Sequence, residues 1–220
     1  MAYEVYWGSG SPYSWRVLLA LTVKGVAFES KLLQFSRGDH RTPDFLAMNP
    51  RGRVPVLKDG QGVVYESLAI LAYIEKRHPT PPLFGETPGE TAAIWQAVSE
   101  VDAYLGPPQE ELVARVFRDD TAGHEEALRA VVAQVLAEMA TYEARLARAP
   151  YVAGDRLTAA DLVLYPTLML IGRIGTRVAA LSLRLGLDTL RADHPHVERW
   201  AQTIEGLPGY AATYPPHWRV

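Results

Sequence analysis

The sequence predicts two parts, an α/β layer of four strands and an all-helical domain after it. Three observations carry this. Residues 1–78 alternate short apolar runs with helical spacing, residues 78–89 are crowded with proline and glycine, and beyond them strand signals vanish. The expected division is residues 1–79, a linker over 80–89, and a helical domain over 90–220.

Tyr3–Trp7 reads as a strand ended by Gly8-Ser9-Gly10. A helix follows, with Ser11 at its N-cap and Pro12 at the first helical position, where a missing N–H costs little. Val17, Leu18, Leu21 and Val23 are among its apolar residues, and Gly25 stops it. Phe28–Leu33 reads as a second strand, and Thr42–Met48 as a short helix ended by Asn49-Pro50. Val54–Leu57 and Val63–Tyr65 flank Asp59-Gly60, a hairpin signal. Ser67 is read as the cap of a helix reaching about Arg77. The order is β-α-β-α-β-β-α.

In the second part, Ile94, Val98, Val101 and Leu105 recur at helical spacing within residues 90–105. Residues 124–148 carry one apolar stripe of Leu128, Val132, Val135, Met139, Tyr142 and Leu146, which reads as bundle core. Thr158 and Asp161 form a capping box in the broad sense, with Asp in the place of Glu, and Leu157 and Leu162 supply a hydrophobic staple. Asp161 is therefore read as a structural acid. A last helix begins near Pro195 and ends before Gly206.

Composition narrows the function. Of 220 residues, 48% are hydrophobic and 21% charged, enough for a real core. A net charge of −3 leaves no basic footprint for nucleic acid. The absence of cysteine excludes disulfides, thiolate metal sites and a cysteine nucleophile. The opening residues lack the basic and apolar regions of a signal peptide. The most apolar run, Leu162 to Ile171, is about half a membrane span and contains Pro166. These features read as a soluble, cytoplasmic chain.

Three familiar motifs fall short. Gly8-Ser9-Gly10 follows a strand, but Tyr13 stands where a dinucleotide fingerprint needs its third glycine. No Gly-x-Ser-x-Gly elbow exists. His194 and His196 lack a third ligand, so no metal is expected.

Residues 49–67 carry the strongest constellation, Asn-Pro-Arg-Gly-Arg-Val-Pro-Val-Leu followed by Tyr-Glu-Ser at a helix start. Pro55 at a strand start cannot donate to a ladder, which leaves the Val54 backbone beside it able to pair with an extended peptide. Ser67 offers a hydroxyl and helix N–H groups to an anion, and Glu66 offers a charge to an ammonium. Together these suit a zwitterionic amino-acid head with a peptide tail. The same residues also read as a plain cap and a strand-shaping proline.

Residues 1–78 resemble the N-terminal domain of the glutathione transferases. Ser11-Pro12-Tyr13-Ser14-Trp15-Arg16-Val17, the Asn49–Leu57 run and Glu66-Ser67 carry the likeness. Val152-Ala153-Gly154-Asp155, the Thr158–Asp161 box, Trp200 and Leu207-Pro208-Gly209-Tyr210 extend it through the C-terminal part. The resemblance implies a thioredoxin-like domain, a helical bundle, a homodimer and glutathione as ligand. It makes Pro55 a cis-proline and Ser11 the residue that stabilises the glutathione thiolate, with Ser9 and Ser14 as competitors. It gives the cysteinyl backbone to Val54, the γ-glutamyl head to Glu66 and Ser67, and the glycine carboxylate to Arg53 and His40. The Gly-Asp-His stretch at 38–40 is similar to theta-type members. So is Val-Asp-Ala-Tyr-Leu at 101–105, whose Asp102 would reach the partner subunit's ligand or lie solvated on its helix.

The resemblance implies conjugation of glutathione to a hydrophobic electrophile, with Trp7, Tyr13, Tyr104 and Val113 as pocket wall. Two other functions stay open, a non-catalytic binding scaffold and a zeta-like glutathione-dependent isomerase. Pro12 and Tyr13 replace the central pair of the zeta-type Ser-Ser-Cys-Ser-Trp-Arg, which counts against the isomerase.

Overall fold

The computed structural model of the chain describes residues 3–60 and 62–219. Met1 and Ala2, which open the segment read as lacking a signal peptide, lie outside the described residues, as do Gln61 and Val220.

Strand β1 (Tyr3–Gly8) leads into helix α1 (Pro12–Val23), and β2 (Phe28–Leu33) follows. Two single 3₁₀ turns and the short helix α2 (Pro43–Met48) precede β3 (Val56–Asp59), β4 (Gly62–Tyr65) and α3 (Ser67–Arg77). The sheet order is β2-β1-β3-β4. β1 runs parallel to β2 and antiparallel to β3, and β3 and β4 form the expected hairpin. Val5, Leu57, Val17, Leu18, Leu21, Ile70 and Ile74 interlock between the sheet and α1 and α3. Burying each such side chain contributes about 1.5–3 kcal/mol.

One strand start shifts. β3 begins at Val56, not Val54, because Pro55 has no N–H to donate to a ladder, and the pairing with β1 starts with Tyr6 and Val56. Trp7 is part of the core, 7% exposed, with its indole N–H donated to Ser30 Oγ at 2.7 Å.

The helical elements are α4 (Pro88–Glu100), a π-helical turn over Val101–Leu105, α5 (Gly106–Val116), α6 (Glu125–Leu146), α7 (Ala159–Gly175), α8 (Val178–Ser182), α9 (Pro195–Glu205) and α10 (Tyr210–Thr213). The six stripe residues of α6 are its buried residues. Burial pushes the Tyr142 phenol above its ordinary range. The capping box stands at the start of α7, where Asp161 accepts from the N–H of Thr158 at 2.8 Å. Its carboxylate also accepts from Val152 N–H and Trp200 Nε1, each at 2.9 Å. Burial raises the Asp161 carboxyl, and these donors oppose the shift. No helix among the described residues is long and apolar enough to cross a membrane.

Two compact units result, Met1–Leu83 with Gly206–Val220, and Phe84–Glu205. The tail after Gly206 thus belongs with the α/β unit, although the sequence reading assigned it to the helical domain. The reason lies in Trp15 on α1. Its indole N–H donates to Thr213 Oγ1 at 2.9 Å, and Tyr214 and Trp218 pack edge-on against its ring.

Candidate functional site

The turn between β1 and α1 is closed by Ser11 N–H donating to Gly8 O at 3.1 Å, with Gly10 at φ 79°. Such a corner suits glycine, which has no Cβ to clash at positive φ. Ser11 is the N-cap of α1, and its Oγ accepts from Ser14 N–H at 3.2 Å. Its O–H hydrogen remains for another acceptor. No acidic residue stands in the first turn of α1, so the positive end of this helix keeps its attraction for an anion. The competitors are engaged. Ser14 is buried and accepts from Gly8 N–H at 3.3 Å, and Ser9 Oγ lies 2.5 Å from His217 Nδ1.

The loop before β3 is held by Asn49, 2% exposed. Its Nδ2 donates to Arg53 O at 2.7 Å, and its Oδ1 accepts from Arg51 N–H at 3.1 Å. This clamp delivers Arg53 and Val54 to the cis peptide at Pro55. Glu66 has φ 68° and occupies the N-cap of α3, so Ser67 is the first helical residue and not the cap expected for it. A Glu at positive φ is uncommon and marks a constrained turn. Ser67 Oγ accepts instead from Arg16 at 3.5 Å.

Arg53, Val54, Pro55, Glu66 and Ser67, five of the eight candidate residues, come together around one cavity of about 200 Å³. Tyr13 and Asn49 complete its wall. Ser11 caps the same helical turn that contributes Tyr13. His40 is not part of the wall, yet its carbonyl lies beside Gly52, next to Arg53. His40 Nδ1 is buried without a hydrogen-bond partner among the described residues, while Nε2 accepts from Arg41 at 3.3 Å. Asp102 stands exposed on the π-helical turn of the other unit, and Tyr104, at 57% exposure, is near it in sequence.

Sequence reasoning missed two contributors. Arg16 is 1% exposed, with its guanidinium 4.9 Å from the centre of the Tyr13 ring. A buried cation behind Ser67 favours a carboxylate there. Its signal was an arginine inside the apolar run Trp-Arg-Val-Leu-Leu-Ala-Leu at 15–21. Asn49 was read only as a helix stop, although Asn followed by Pro-Arg-Gly is an Asx-turn pattern. His194 and His196 are engaged locally, with Leu190 O and Arg199. No group of three His, Cys, Asp or Glu suited to a metal occurs among the described residues.

Comparison with known proteins meets this geometry. The description "Glutathione S-transferase, N-terminal domain" matches residues 10–77, and "Glutathione S-transferase, C-terminal domain" matches residues 103–208. Glutathione S-transferase 4 of Zea mays is 36% identical over 211 residues, covering 94% of this chain and 89% of the relative. Glutathione S-transferase 1 of Dianthus caryophyllus is 32% identical, covering 93% of each. A glutathione S-transferase from the Antarctic clam Laternula elliptica superposes with a TM-score of 0.84 at 30% identity, covering 99% of this chain and 94% of that one. The likeness spans the thioredoxin-like layer and the helical domain alike.

Proposed function

The chain belongs to the glutathione S-transferase family, and on that premise we propose that it joins the glutathione thiolate to a hydrophobic electrophile with Ser11 as the thiolate's partner. That it is a glutathione transferase follows from its relatives. The roles of its residues are our reading.

One observation carries the reading. A carboxylate, a hydroxyl at a helix start, an arginine and a non-ladder backbone at a cis-proline share one cavity beside the first turn of α1. Glu66 meets the γ-glutamyl ammonium and Ser67 its carboxylate, with the Arg16 charge behind. The Val54 backbone pairs with the cysteinyl residue. Arg53 and the orphaned Nδ1 of His40 are assigned the glycine carboxylate.

A free thiol with a pKa near 8.5 is only about 3% ionised at pH 7. Lowering that pKa by about two units takes roughly 2.7 kcal/mol of preferential stabilisation of the anion. A hydroxyl donating to a charged sulfur supplies about 1.5–3 kcal/mol, and the N-terminus of α1, with no acid in its first turn, adds to it. No cysteine, histidine base or metal is needed. The thiol proton leaves to solvent, the sulfur forms a bond to the electrophilic carbon, and a leaving group departs or a conjugate anion takes up a proton.

Further parts of the reading rest on family likeness. The protein is a cytoplasmic homodimer, and Asp102 reaches the γ-glutamyl amine bound by the partner subunit. The test is a screen of electrophiles with glutathione consumption as readout, together with titration of bound glutathione by its thiolate absorbance in Ser9→Ala, Ser11→Ala and Ser14→Ala. Product formed with all glutathione returned defeats conjugation in favour of the isomerase. If Ser11→Ala keeps the bound thiol pKa and Ser9→Ala raises it, the role belongs to Ser9.

A further inference from the structure

The tail after α9 returns to the turn that carries Ser11. Ser9 occupies the corner of that turn, and its Oγ lies 2.5 Å from Nδ1 of His217. A Cβ added at Gly10 would stand 2.8 Å from His217 Cε1 and 3.3 Å from Trp218 Nε1, so the tail lies directly on the turn. His217 is exposed, but what holds it there is not. Trp218 is 7% exposed and meets the Trp15 ring edge-on at 5.6 Å, as does Tyr214. The Trp15 indole N–H donates to Thr213 Oγ1 in the buried interior. The tail is therefore anchored through its aromatic residues, and its imidazole is presented to Ser9 as a separate element.

We propose that His217 is a positioning residue for the thiolate-stabilising turn. By holding Ser9 at the corner, it fixes the backbone that closes on Ser11, and with it the direction in which the Ser11 hydroxyl donates. The proposal rests on the role given to Ser11 above. Ser11 N–H is tied to Gly8 O across Ser9 and Gly10, and Ser11 Oγ is tied forward to Ser14 N–H. A corner free to rotate at Ser9 lets the whole segment turn about these two bonds.

The experiment compares the wild type with His217→Ala, His217→Asn, His217→Gln and Ser9→Ala, all as full chains. Removal of the imidazole leaves the aromatic anchor, so Tm should stay within about 2 °C and glutathione KM within about twofold. The pKa of bound glutathione should rise by about half a unit to one unit, and kcat at neutral pH should fall about threefold to tenfold, as loss of one hydrogen bond implies. Asn places an amide where Nδ1 stands and should restore most of both, whereas Gln reaches toward the position of Nε2 and should not. Ser9→Ala should copy the defect, and the double variant should be no worse than either single one. A His217→Ala enzyme with wild-type thiol pKa and kcat overturns the proposal, as does equal rescue by Asn and Gln or full additivity with Ser9→Ala. A wild-type protein whose bound thiol keeps the pKa of free glutathione defeats the Ser11 reading and this inference together. A low wild-type value unchanged in His217→Ala defeats this inference alone.

Discussion

At the start of α7, Thr158 and Asp161 are 2% and 0% exposed, and the carboxylate collects four donors from Val152, Thr158 and Trp200. At the start of α1, Ser11 is half-buried, accepts from one backbone N–H and has no acid in the turn above it. Both are helix N-termini capped by a small hydroxyl residue. At α7 a resident carboxylate answers the positive end of the helix and the donors around it, so the cap holds the fold and has nothing left to offer. At α1 the first turn carries no acid, which leaves the helix start open to an incoming anion. The difference teaches that one local motif serves stability or chemistry according to whether its own anion is built in.

The largest test of this contrast is Asp161→Ala. It strands the N–H groups of Val152, Thr158 and Trp200 in the interior, and unfolding in urea should show a loss of about 3–5 kcal/mol. Asp161→Asn keeps one oxygen for two of these donors and should lose about half as much. A loss under 1 kcal/mol for the alanine variant would mean that α7 is not held by its cap.

Ser11→Ala should act in the opposite sense. Its stability loss is about 1 kcal/mol, the ordinary cost of a cap, while the bound thiol pKa rises by about one to two units. Equal effects on stability and on the thiol at both helix starts would erase the contrast.

Ser67→Ala sharpens it further, because Ser67 is the first helical residue of α3 and not its cap. Ser67 is buried and accepts from buried Arg16, so denaturation should move by about 1 kcal/mol, with glutathione affinity falling about fivefold to tenfold by calorimetry. Stability lost with affinity intact would return Ser67 to a structural role. The smallest expected effect is that of Asp102→Asn. Glutathione affinity should fall about twofold to fivefold with the sedimentation coefficient unchanged, and a shift toward a monomer near 24.3 kDa would make Asp102 an assembly residue instead.

Much of this molecule is legible in its sequence where the cause is local. Phe28–Leu33 is a strand with the bounds its apolar run suggests, and the stripe from Leu128 to Leu146 is the buried face of α6. The Thr158–Asp161 box is visible because its partners lie three residues apart. The helix α5 is hidden in the sequence, since Gly106-Pro107-Pro108 looks like a break, although proline is welcome in the first turn. The π-helical turn over Val101–Leu105 hides behind ordinary helical spacing. Five site residues could be named because they cluster over residues 53–67. Arg16 and His217 could not, because nothing local says which distant hydroxyl each will meet.

By itself the sequence determined the alternation of strands and helices, the apolar faces, the cap at α7 and the family motifs, all of which depend on residues a few positions apart. Only the tertiary structure decided that Glu66 takes positive φ and moves Ser67 into the helix, and that β3 starts after Pro55. It alone brought residues 210–218 back onto Trp15 and the Ser9 turn, across about two hundred positions of chain. The physical reason is that these outcomes are set by packing between elements distant in sequence. The same aromatic residues could bury themselves against many surfaces, and only the finished arrangement of α1 selects which one.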